Sequence, residues 1–447
     1  MSNNSDAVGM KVPELIMPAA GVDMTKWAVV ACDQSTSLPD YWEETERIVG
    51  DSPSTLRLML PEMYLDKPDE ADRIKRINAC MNEYVSNGTL ESKGEGFVLV
   101  RRTVDGRTRT GLVVALDLEA YDYTKGSKTL IRATEGTIVE RIPPRLRIRK
   151  DAPLEMPHIL VLIDDPERTV IEPLLDGAVY ADCLYDFELM QGGGHISGRL
   201  INDKKDIDRI YAALFALADK DAFHAKYGED QPPMLFAMGD GNHSFATAKA
   251  NWEEVKKTLP ESERADHPAR YCLVEIEIVH DEGIVFEPIH RVLFNVDVAS
   301  VINYMTAKLS EQNGCANIRM FSTREECLLE QKAHSGQDAH TLPFFTESGV
   351  GCFIVTNPSS QLAVGTLQNA LDPMLKALGG SIDYIHGESV VENLGRQIGN
   401  MGFLLPPMNK SDLFRTVVYD GALPRKTFSM GEAHEKRYYL ECRKISK

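Results

Sequence analysis

One short stretch of the sequence combines glycines with a carboxylate and an imidazole. It reads Gly239-Asp240-Gly241-Asn242-His243, follows an apolar run and leads directly into an amphipathic pattern. Glycines let backbone amides approach a ligand closely, and the unpaired N–H groups of a first helical turn favour anions such as phosphate. Asp240 could hold a metal or orient a base, and His243 could move a proton or bind phosphate. The alternative is a tight turn with an Asx cap and a surface histidine.

A second stretch has the same layout. An apolar run ends at Asp33 and Gln34, and Ser35 and Thr36 precede a helix that we predict at 40–49. Polar residues at the end of a strand often bind ligands in α/β sheets. We therefore take Asp33 as a candidate catalytic residue and the next three residues as substrate contacts. The alternative is a cluster of N-cap residues, which needs no ligand.

A third feature is a run of arginines in an acidic chain. It comprises Arg132, Arg141, Arg145, Arg147 and Arg149. Guanidinium groups stay charged and bind phosphates in a bidentate geometry. We assign Arg132, Arg141 and Arg145 to phosphate binding, and Glu135 joins Asp240 as a candidate metal ligand. The last two arginines alternate, and the alternative for them is a solvated basic strand with acidic partners.

Three other polar residues are weaker candidates for substrate contacts. His195 follows three glycines, which fits an open loop facing a ligand, although a structural turn histidine fits equally well. His290 and Arg291 could bring charge to a cleft or could form a satisfied structural pair. Ser244 lacks the flanking glycines of a nucleophile elbow, so acyl chemistry is not indicated. The sequence also contains neither GxxxxGK[ST] nor GxGxxG, so a Walker or Rossmann nucleotide site is not indicated.

Composition limits the class of protein. The chain has 447 residues, a net charge of -18 and 43% hydrophobic residues, which is enough for a sizeable core. An acidic surface repels polyanions, so a general nucleic-acid role is disfavoured. The eight cysteines form no CxxC pair, no secretory signal is present, and no apolar run is long enough to span a membrane. We therefore expect a cytoplasmic protein with no membrane partner.

The order of elements predicts an α/β fold with a mixed sheet. Strands and helices alternate, with hairpins between them. The predicted elements include a hairpin of 97–103 with 111–118, helices at 40–49, 203–223 and 243–258, a strand at 234–238, and a strand pair of 352–355 with 362–366. A shift of composition after Asn295 predicts two regions, 1–295 and 296–447.

The motifs together resemble a prokaryotic family long catalogued only as a domain of unknown function. The matching pieces are Ala31-Cys32-Asp33-Gln34, Arg132-Ala133-Thr134-Glu135, Gly239-Asp240-Gly241-Asn242-His243, Pro288-Ile289-His290-Arg291, Asp383-Tyr384-Ile385-His386-Gly387 and Leu423-Pro424-Arg425-Lys426-Thr427. They extend over nearly the whole chain. The Asp-Gly-x-His turn of that family is similar to the turn of ParB/sulfiredoxin-fold proteins, which include free-serine kinases.

This resemblance implies a ParB/sulfiredoxin-like module with a C-terminal α+β region completing the cleft. It also implies phosphoryl transfer from ATP, ADP or pyrophosphate to a small hydroxylated metabolite, with free L-serine as a candidate. Asp33 would activate the hydroxyl. The turn from Gly239 to His243, which contains Asp240 and Asn242, would bind phosphate. Arg132 and its neighbours would hold the donor, and Mg²⁺ would bridge donor oxygens.

The turn departs from the more usual pattern at two positions. The usual turn carries His-His-Arg after the glycine, whereas this chain has Asn242-His243-Ser244, so one phosphate contact is absent. Two other functions remain as alternatives: a non-catalytic sensor of nucleotides or phosphate metabolites, and a hydrolase of phosphate esters. A ParB-like nucleic-acid partner is a further alternative, against which the net charge of -18 counts. A homodimer is common among enzymes of this size.

Overall fold

The computed structural model of the protein describes residues 7–34, 38–124, 126–334 and 338–446. The chain divides into two compact units, of which the first comprises Met1–Val285 with Met430–Lys447 and the second Phe286–Ser429. This division differs from the predicted one, because the second unit starts before residue 296 and the last residues belong to the first unit. The reason is long-range strand pairing: Tyr438–Tyr439 pairs with Val29–Val30, which composition along the chain does not reveal.

A large mixed sheet forms the centre of the first unit and confirms the α/β class. In spatial order its strands are Cys183–Glu188, His195–Ile201, Phe97–Val104, Arg107–Asp117, Tyr271–Ile278, Leu160–Ile163, Phe236–Asp240, Ile131–Arg132 and Tyr121–Asp122, with Met10–Lys11 beside Arg107–Asp117. Leu160–Ile163 lies parallel to Tyr271–Ile278 and antiparallel to Phe236–Asp240. The predicted hairpin is confirmed as the antiparallel pair of Phe97–Val104 with Arg107–Asp117.

Alternation along the strands gives the sheet a core on each face. Leu99 and Leu112 are paired across the hairpin and pack into one hydrophobic cluster, whereas Val98 and Val113 are paired and pack into another. Successive side chains of a strand point to opposite faces, so this arrangement follows from the sequence pattern. Trp252 of the helix that follows the glycine turn is buried in the first cluster, and Trp27 is buried in the second.

The remaining elements of the first unit surround this sheet. Its α-helices are Met24–Trp27, Pro39–Val49, Glu70–Ser86, Ile142–Arg149, Lys204–Leu217, Lys220–Tyr227, Asn242–Thr258 and Glu261–Arg264, and its other strands are Glu14–Pro18, Val29–Val30, Leu90–Glu95, Leu154–Glu155, Tyr438–Tyr439 and Arg443–Lys444. The helices predicted at 40–49 and 243–258 are confirmed. The single helix predicted at 203–223 is wrong, because Asp219 caps a second helix by accepting from Ala222 N.

The second unit is an antiparallel sheet with helices. Its strands lie in the order Cys315–Phe321, Gly349–Thr356, Ala339–Thr346, Met401–Phe403, His290–Phe294 and Ser381–Ile385, and its helices are Val298–Gln312, Arg324–Ala333, Ala363–Leu378, Glu388–Gly395 and Lys410–Asp420. The short strands Phe286–Pro288 and Phe428–Met430 lie where the chain passes between the units. The predicted strand at 362–366 is wrong. It begins a helix whose Leu367, Leu371 and Met374 are buried at helical spacing.

Among the residues that the structure describes, no helix combines the length and the apolar character that crossing a bilayer requires.

Candidate functional site

The predicted strand-turn-helix stretch is present, and the backbone of its turn requires a glycine at Gly241. Phe236–Asp240 ends at the turn and Asn242–Thr258 begins after it. Gly241 has φ 76°, a left-handed conformation that L side chains rarely adopt, and a Cβ there would lie 3.1 Å from Ile159. A Cβ on Gly239 would lie 2.8 Å from the sulfur of Met430. The backbone therefore requires a glycine at Gly241, whereas a side chain at Gly239 would have to displace the end of the Met430 side chain.

Asp240 is held as a carboxylate by two donors. Its Oδ2 accepts from Lys436 Nζ at 2.9 Å, and its Oδ1 accepts from Gly241 N at 2.8 Å. Burial alone would raise the pKa of Asp240, but the charge and hydrogen bond of Lys436 outweigh it, and the pKa is lowered. Sequence reasoning missed Lys436, which lies 196 residues away in a segment without a recognisable motif.

A hydrogen-bonded chain connects the helix after the turn with the stretch that contains Asp33. Ser244 Oγ lies 2.8 Å from His158 Nε2, and His158 Nδ1 lies 3.0 Å from Tyr439 Oη. Cys32 N in turn donates to Tyr439 Oη at 3.2 Å. Sequence reasoning singled out neither His158 nor Tyr439. The structure thus brings the two predicted stretches together through residues that no local pattern marks.

Asp33 is partly buried at the end of this chain. Gln34 Nε2 donates to Asp33 Oδ1 at 2.9 Å, which holds the two predicted residues together. Burial raises the pKa of the Cys32 thiol to about 12, and the negative charge of Asp33 adds to the shift. The carboxylate of Asp33 therefore lies close enough to Cys32 for its charge to act on the thiol. Ser35 and Thr36 lie outside the described residues.

His243 and Asn242 occupy the first turn of the helix. Ile138 N donates to His243 Nε2 at 3.4 Å, so this ring nitrogen is an acceptor and carries no proton in that contact. The side-chain oxygen of Asn242 is buried and has no hydrogen-bond partner among the described residues. A buried acceptor without a partner costs about 1–3 kcal/mol, and such groups mark places where a ligand or water binds.

The guanidinium of Arg132 is held by backbone carbonyls. It is 3% exposed, and it donates to Thr129 O at 2.9 Å and to Pro232 O at 2.7 Å. Burial lowers its pKa to about 10. The guanidinium thus ties two loops together, a role that the sequence pattern could not distinguish from phosphate binding.

The other arginines of the run lie on the helix Ile142–Arg149 or just before it, so the basic strand considered as an alternative is absent. Arg145 forms an ion pair with Glu62 and donates to Arg141 O. Arg141 itself is exposed. Arg147 is paired with Glu70 at 2.7 Å, as expected for a charge with an acidic partner. Arg145 lies beside Cys32 in the cavity described below.

The candidate metal ligands are not clustered. Glu135 lies in the loop that follows Ile131–Arg132 and has a partner of its own. Within the described ranges, no group of three or more His, Cys, Asp and Glu side chains is arranged to hold a metal ion. Lys436 already occupies the carboxylate of Asp240. Mg²⁺ stays a prediction, and donor phosphates and water would have to supply most of its ligands.

His195 is not brought to the turn. Its Nε2 lies 2.9 Å from Asp186 Oδ1, and both side chains are about half exposed. Four strands of the sheet lie between His195–Ile201 and Phe236–Asp240, so the two are five strand steps apart, which at roughly 4.8 Å per step is about 24 Å. The structure thus supports the alternative, a paired turn histidine.

His290 and Arg291 belong to the second unit. His290 Nδ1 accepts from Leu405 N at 3.1 Å, and burial together with the charge of Arg291 lowers the pKa of His290 to about 4. Arg291 is fully buried and donates to Gln368 Oε1 and to Lys426 O. The contacts match the satisfied structural pair considered as the alternative.

A cavity of about 150 Å³ adjoins the hydrogen-bonded chain. Ser244, His158, Tyr439 and Cys32 all line it, and most of its other wall is apolar. A larger cleft of about 720 Å³ lies between the helices Pro39–Val49 and Glu70–Ser86. Its described lining shares no residue with the turn, so size alone does not identify the site. The smaller cavity does not reach residues 239–243 either, but Ser244 and His158 of the hydrogen-bonded chain line it.

Comparison with known proteins gives one family and distant structural likenesses. The family model described as "Protein of unknown function (DUF1015)" matches residues 16–374. No curated protein matches the chain. Solved structures that resemble it include a conserved hypothetical protein from Pyrococcus furiosus, at 11% identity over 73% of this chain and 90% of the other, with a TM-score of 0.34.

Two further structures have similar scores. A free serine kinase in complex with AMP is 9% identical over 74% of this chain and 92% of its own, with a TM-score of 0.38. SbnI with a C-terminal truncation, from Staphylococcus aureus, is 8% identical over 71% and 82%, with a TM-score of 0.31.

Proposed function

Since the chain belongs to the family described as "Protein of unknown function (DUF1015)", we propose an activity from the site itself: a phosphotransferase. It moves a phosphoryl group from ATP, ADP or pyrophosphate to a small hydroxylated metabolite, and free L-serine is the first acceptor to test. One observation carries the proposal. A partly buried ammonium, Lys436, is fixed against Asp240 where a 17-residue helix begins.

The phosphate-binding part of the proposal rests on charge and on unpaired N–H groups. The helix Asn242–Thr258 begins at a left-handed glycine without a side-chain cap in the described structure. The N–H groups of a first turn that is not capped bind phosphate oxygens, and the helix dipole favours their negative charge. Lys436 adds a full positive charge at the same end. Phosphoryl transfer depends mainly on such positioning and neutralisation.

The acceptor part of the proposal rests on Asp33. A carboxylate accepts the hydroxyl proton when it comes within hydrogen-bond reach in the complex. Asp33 is partly buried, is oriented by Gln34 and lies next to the hydrogen-bonded chain that leads to Ser244. A divalent cation bound with the donor would neutralise phosphate charge. The sequence of the turn also resembles that of ParB/sulfiredoxin-fold proteins. This resemblance is a prediction that agrees with the proposal.

The contacts revise the residues proposed to hold the donor. Arg132 is engaged by backbone carbonyls and Arg145 by Glu62. Neither guanidinium has the open bidentate edge that phosphate binding uses. Lys436, which is paired with Asp240 but lies at the helix start, takes their place in the proposal together with the amides of the turn. The unpaired side-chain oxygen of Asn242 is an acceptor, so it would bind a hydroxyl or a water and not a phosphate oxygen.

The test is phosphoryl transfer to L-serine with magnesium, with ATP, ADP and pyrophosphate offered in separate reactions and phosphoserine detected by mass. Asp33→Asn should reduce turnover at least 100-fold and leave donor affinity unchanged. Asp40→Asn, an exposed aspartate at the start of the next helix, is the matched control. Donor binding without product over a broad panel of hydroxylated acceptors would favour the sensor alternative. Release of inorganic phosphate without an acceptor would favour the hydrolase.

A further inference from the structure

Ser244 has the surroundings of an activated nucleophile. Its hydroxyl lies 2.8 Å from His158 Nε2, and the imidazole is itself oriented through Nδ1 by Tyr439 at 3.0 Å. A nucleophile, a base within hydrogen-bond reach and a third group that orients the base form the arrangement that activates serine hydroxyls. His158 and Ser244 are 86 residues apart in the sequence, so this arrangement is a product of the fold.

The hydrogen bonds of Tyr439 permit a tautomer of His158 in which Nε2 can act as the base. Tyr439 Oη accepts from Cys32 N at 3.2 Å and keeps a second lone pair, which can accept from His158 Nδ1–H. In that tautomer Nε2 carries no proton and faces the hydroxyl of Ser244. The imidazole can then take the serine proton, and the nearby carboxylate of Asp240 stabilises the imidazolium that forms.

The position of Ser244 relates it to phosphate rather than to an acyl group. It lies in the first turn of the helix whose start carries Asp240 and Lys436, where N–H groups and an ammonium neutralise phosphoryl oxygens. It also lines the cavity of about 150 Å³, whose wall is largely apolar.

We propose that Ser244 carries the phosphoryl group covalently between the donor and the acceptor, an inference that rests on the proposed phosphotransferase function. In the first step Ser244 Oγ forms a bond to phosphorus and the bond to the leaving phosphate of the donor breaks, while the serine proton moves to His158 Nε2. In the second step the acceptor hydroxyl attacks phosphorus and gives its proton to Asp33. Ser244 Oγ then leaves and recovers its proton from His158. Tyr439 is a positioning residue.

The first experiment looks for the intermediate. The full-length Asp33→Asn variant, incubated with magnesium and each donor, should accumulate phosphoserine at position 244, because the second step lacks its proton acceptor. Peptide mass spectrometry after an acid quench identifies the site. Ser244→Ala and His158→Gln in the same background should lose this label, whereas Ser86→Ala, an exposed serine at the end of a helix, should keep it. Thermal unfolding verifies that each variant is folded.

The second experiment uses the unaltered protein and the stereochemistry of transfer. Each in-line displacement inverts the configuration at phosphorus, so two displacements give net retention with a donor that is chiral at the transferred phosphorus. Retention, together with a loss of kcat of at least 100-fold in Ser244→Ala, supports the inference. Inversion overturns the inference, and so does full turnover of Ser244→Ala. Either result leaves the phosphotransferase function standing.

Tyr439 is tested separately as a positioning residue. Tyr439→Phe removes the hydrogen bond to His158 Nδ1 and keeps the ring, so labelling of Ser244 should slow at least tenfold with the Kd of the donor unchanged. A purely structural role would change both or neither. Label at Ser244 without any phosphorylated acceptor would support the covalent step and show that the acceptor of the proposed function has to be replaced. The absence of both label and turnover would remove both proposals.

Discussion

The ammonium of Lys436 lies 2.9 Å from Oδ2 of Asp240, although 196 residues separate the two in the sequence. This pair places the positive charge of the site, and Lys436→Met removes it. We expect the Kd of ATP or pyrophosphate to rise at least tenfold, which corresponds to about 1.4 kcal/mol. Titration calorimetry measures the change. Lys444→Met, an exposed lysine on a nearby stretch of chain, should bind as the unaltered protein does. Equal affinities for both variants would contradict the assignment of Lys436.

Gly241 can be tested against a second glycine that also has a positive φ but has no close neighbours. Gly241→Ala forces a side chain into φ 76° and within 3.1 Å of Ile159, and the left-handed conformation alone costs about 1–2 kcal/mol. Gly228 has φ 91°, and a Cβ there would meet nothing within 4 Å. Both variants should lose stability in urea unfolding. Only Gly241→Ala should also lose phosphoryl transfer, because only it displaces the turn.

Stability should depend on pH through a buried carboxyl in the central sheet. Burial raises the pKa of Glu277 to about 8, while Arg109 opposes the shift and Glu275 and Asp281 add to it. Between about pH 4.5 and about 8 the folded protein keeps a proton that the unfolded chain has lost. The free energy of unfolding contributed by this group is therefore fully present below pH 4.5 and is lost as the pH rises through 8.

Glu277→Gln removes that dependence, since an amide does not ionise. Urea unfolding at a series of pH values should show a smaller decline between pH 5 and pH 8 for the variant, and a more stable variant at pH 8. The exposed Glu282→Gln should retain the slope of the unaltered protein. A slope that does not change in Glu277→Gln would show that the group titrates near its ordinary pKa.

Arg291 should stabilise the loop at 424–427 within the second unit. Its guanidinium donates to Ile289 O at 2.6 Å, to Lys426 O at 3.0 Å and to Arg425 O at 3.1 Å. Lysine keeps the charge but cannot reproduce the planar set of donors. Arg291→Lys should lower the free energy of unfolding by about 2–4 kcal/mol, because each lost buried bond costs roughly 1 kcal/mol or more. Hydrogen exchange should rise at 424–427, whereas the exposed Arg319→Lys should leave it unchanged.

Local patterns predicted the elements that place the site, and long-range contacts supplied the residues that complete it. The turn from Gly239 to Asn242 was predictable because its two glycines and the helical pattern after them are adjacent in the sequence. His158 and Tyr439 are 281 residues apart and meet only after strand pairing, so no window of sequence indicates them. Arg132 illustrates the opposite case. Its type suggested phosphate, but burial against backbone carbonyls decides its role.

The predicted strand at 362–366 failed for a related reason. Its apolar residues suit a strand or a helix equally, and periodicity over so few positions does not separate the two. The helix Ala363–Leu378 is distinguished only by the residues further along, where Leu371 and Met374 continue the buried face.

The return of Met430–Lys447 to the first unit has a consequence for biosynthesis. Lys436 and Tyr439 are translated after the whole of the second unit, whereas Asp33 and the glycine turn are translated before it. A nascent chain on the ribosome can therefore form the second unit while the site still lacks its ammonium and the tyrosine that orients His158. The proposed phosphoryl transfer can therefore begin only in chains that have been synthesised through this last segment.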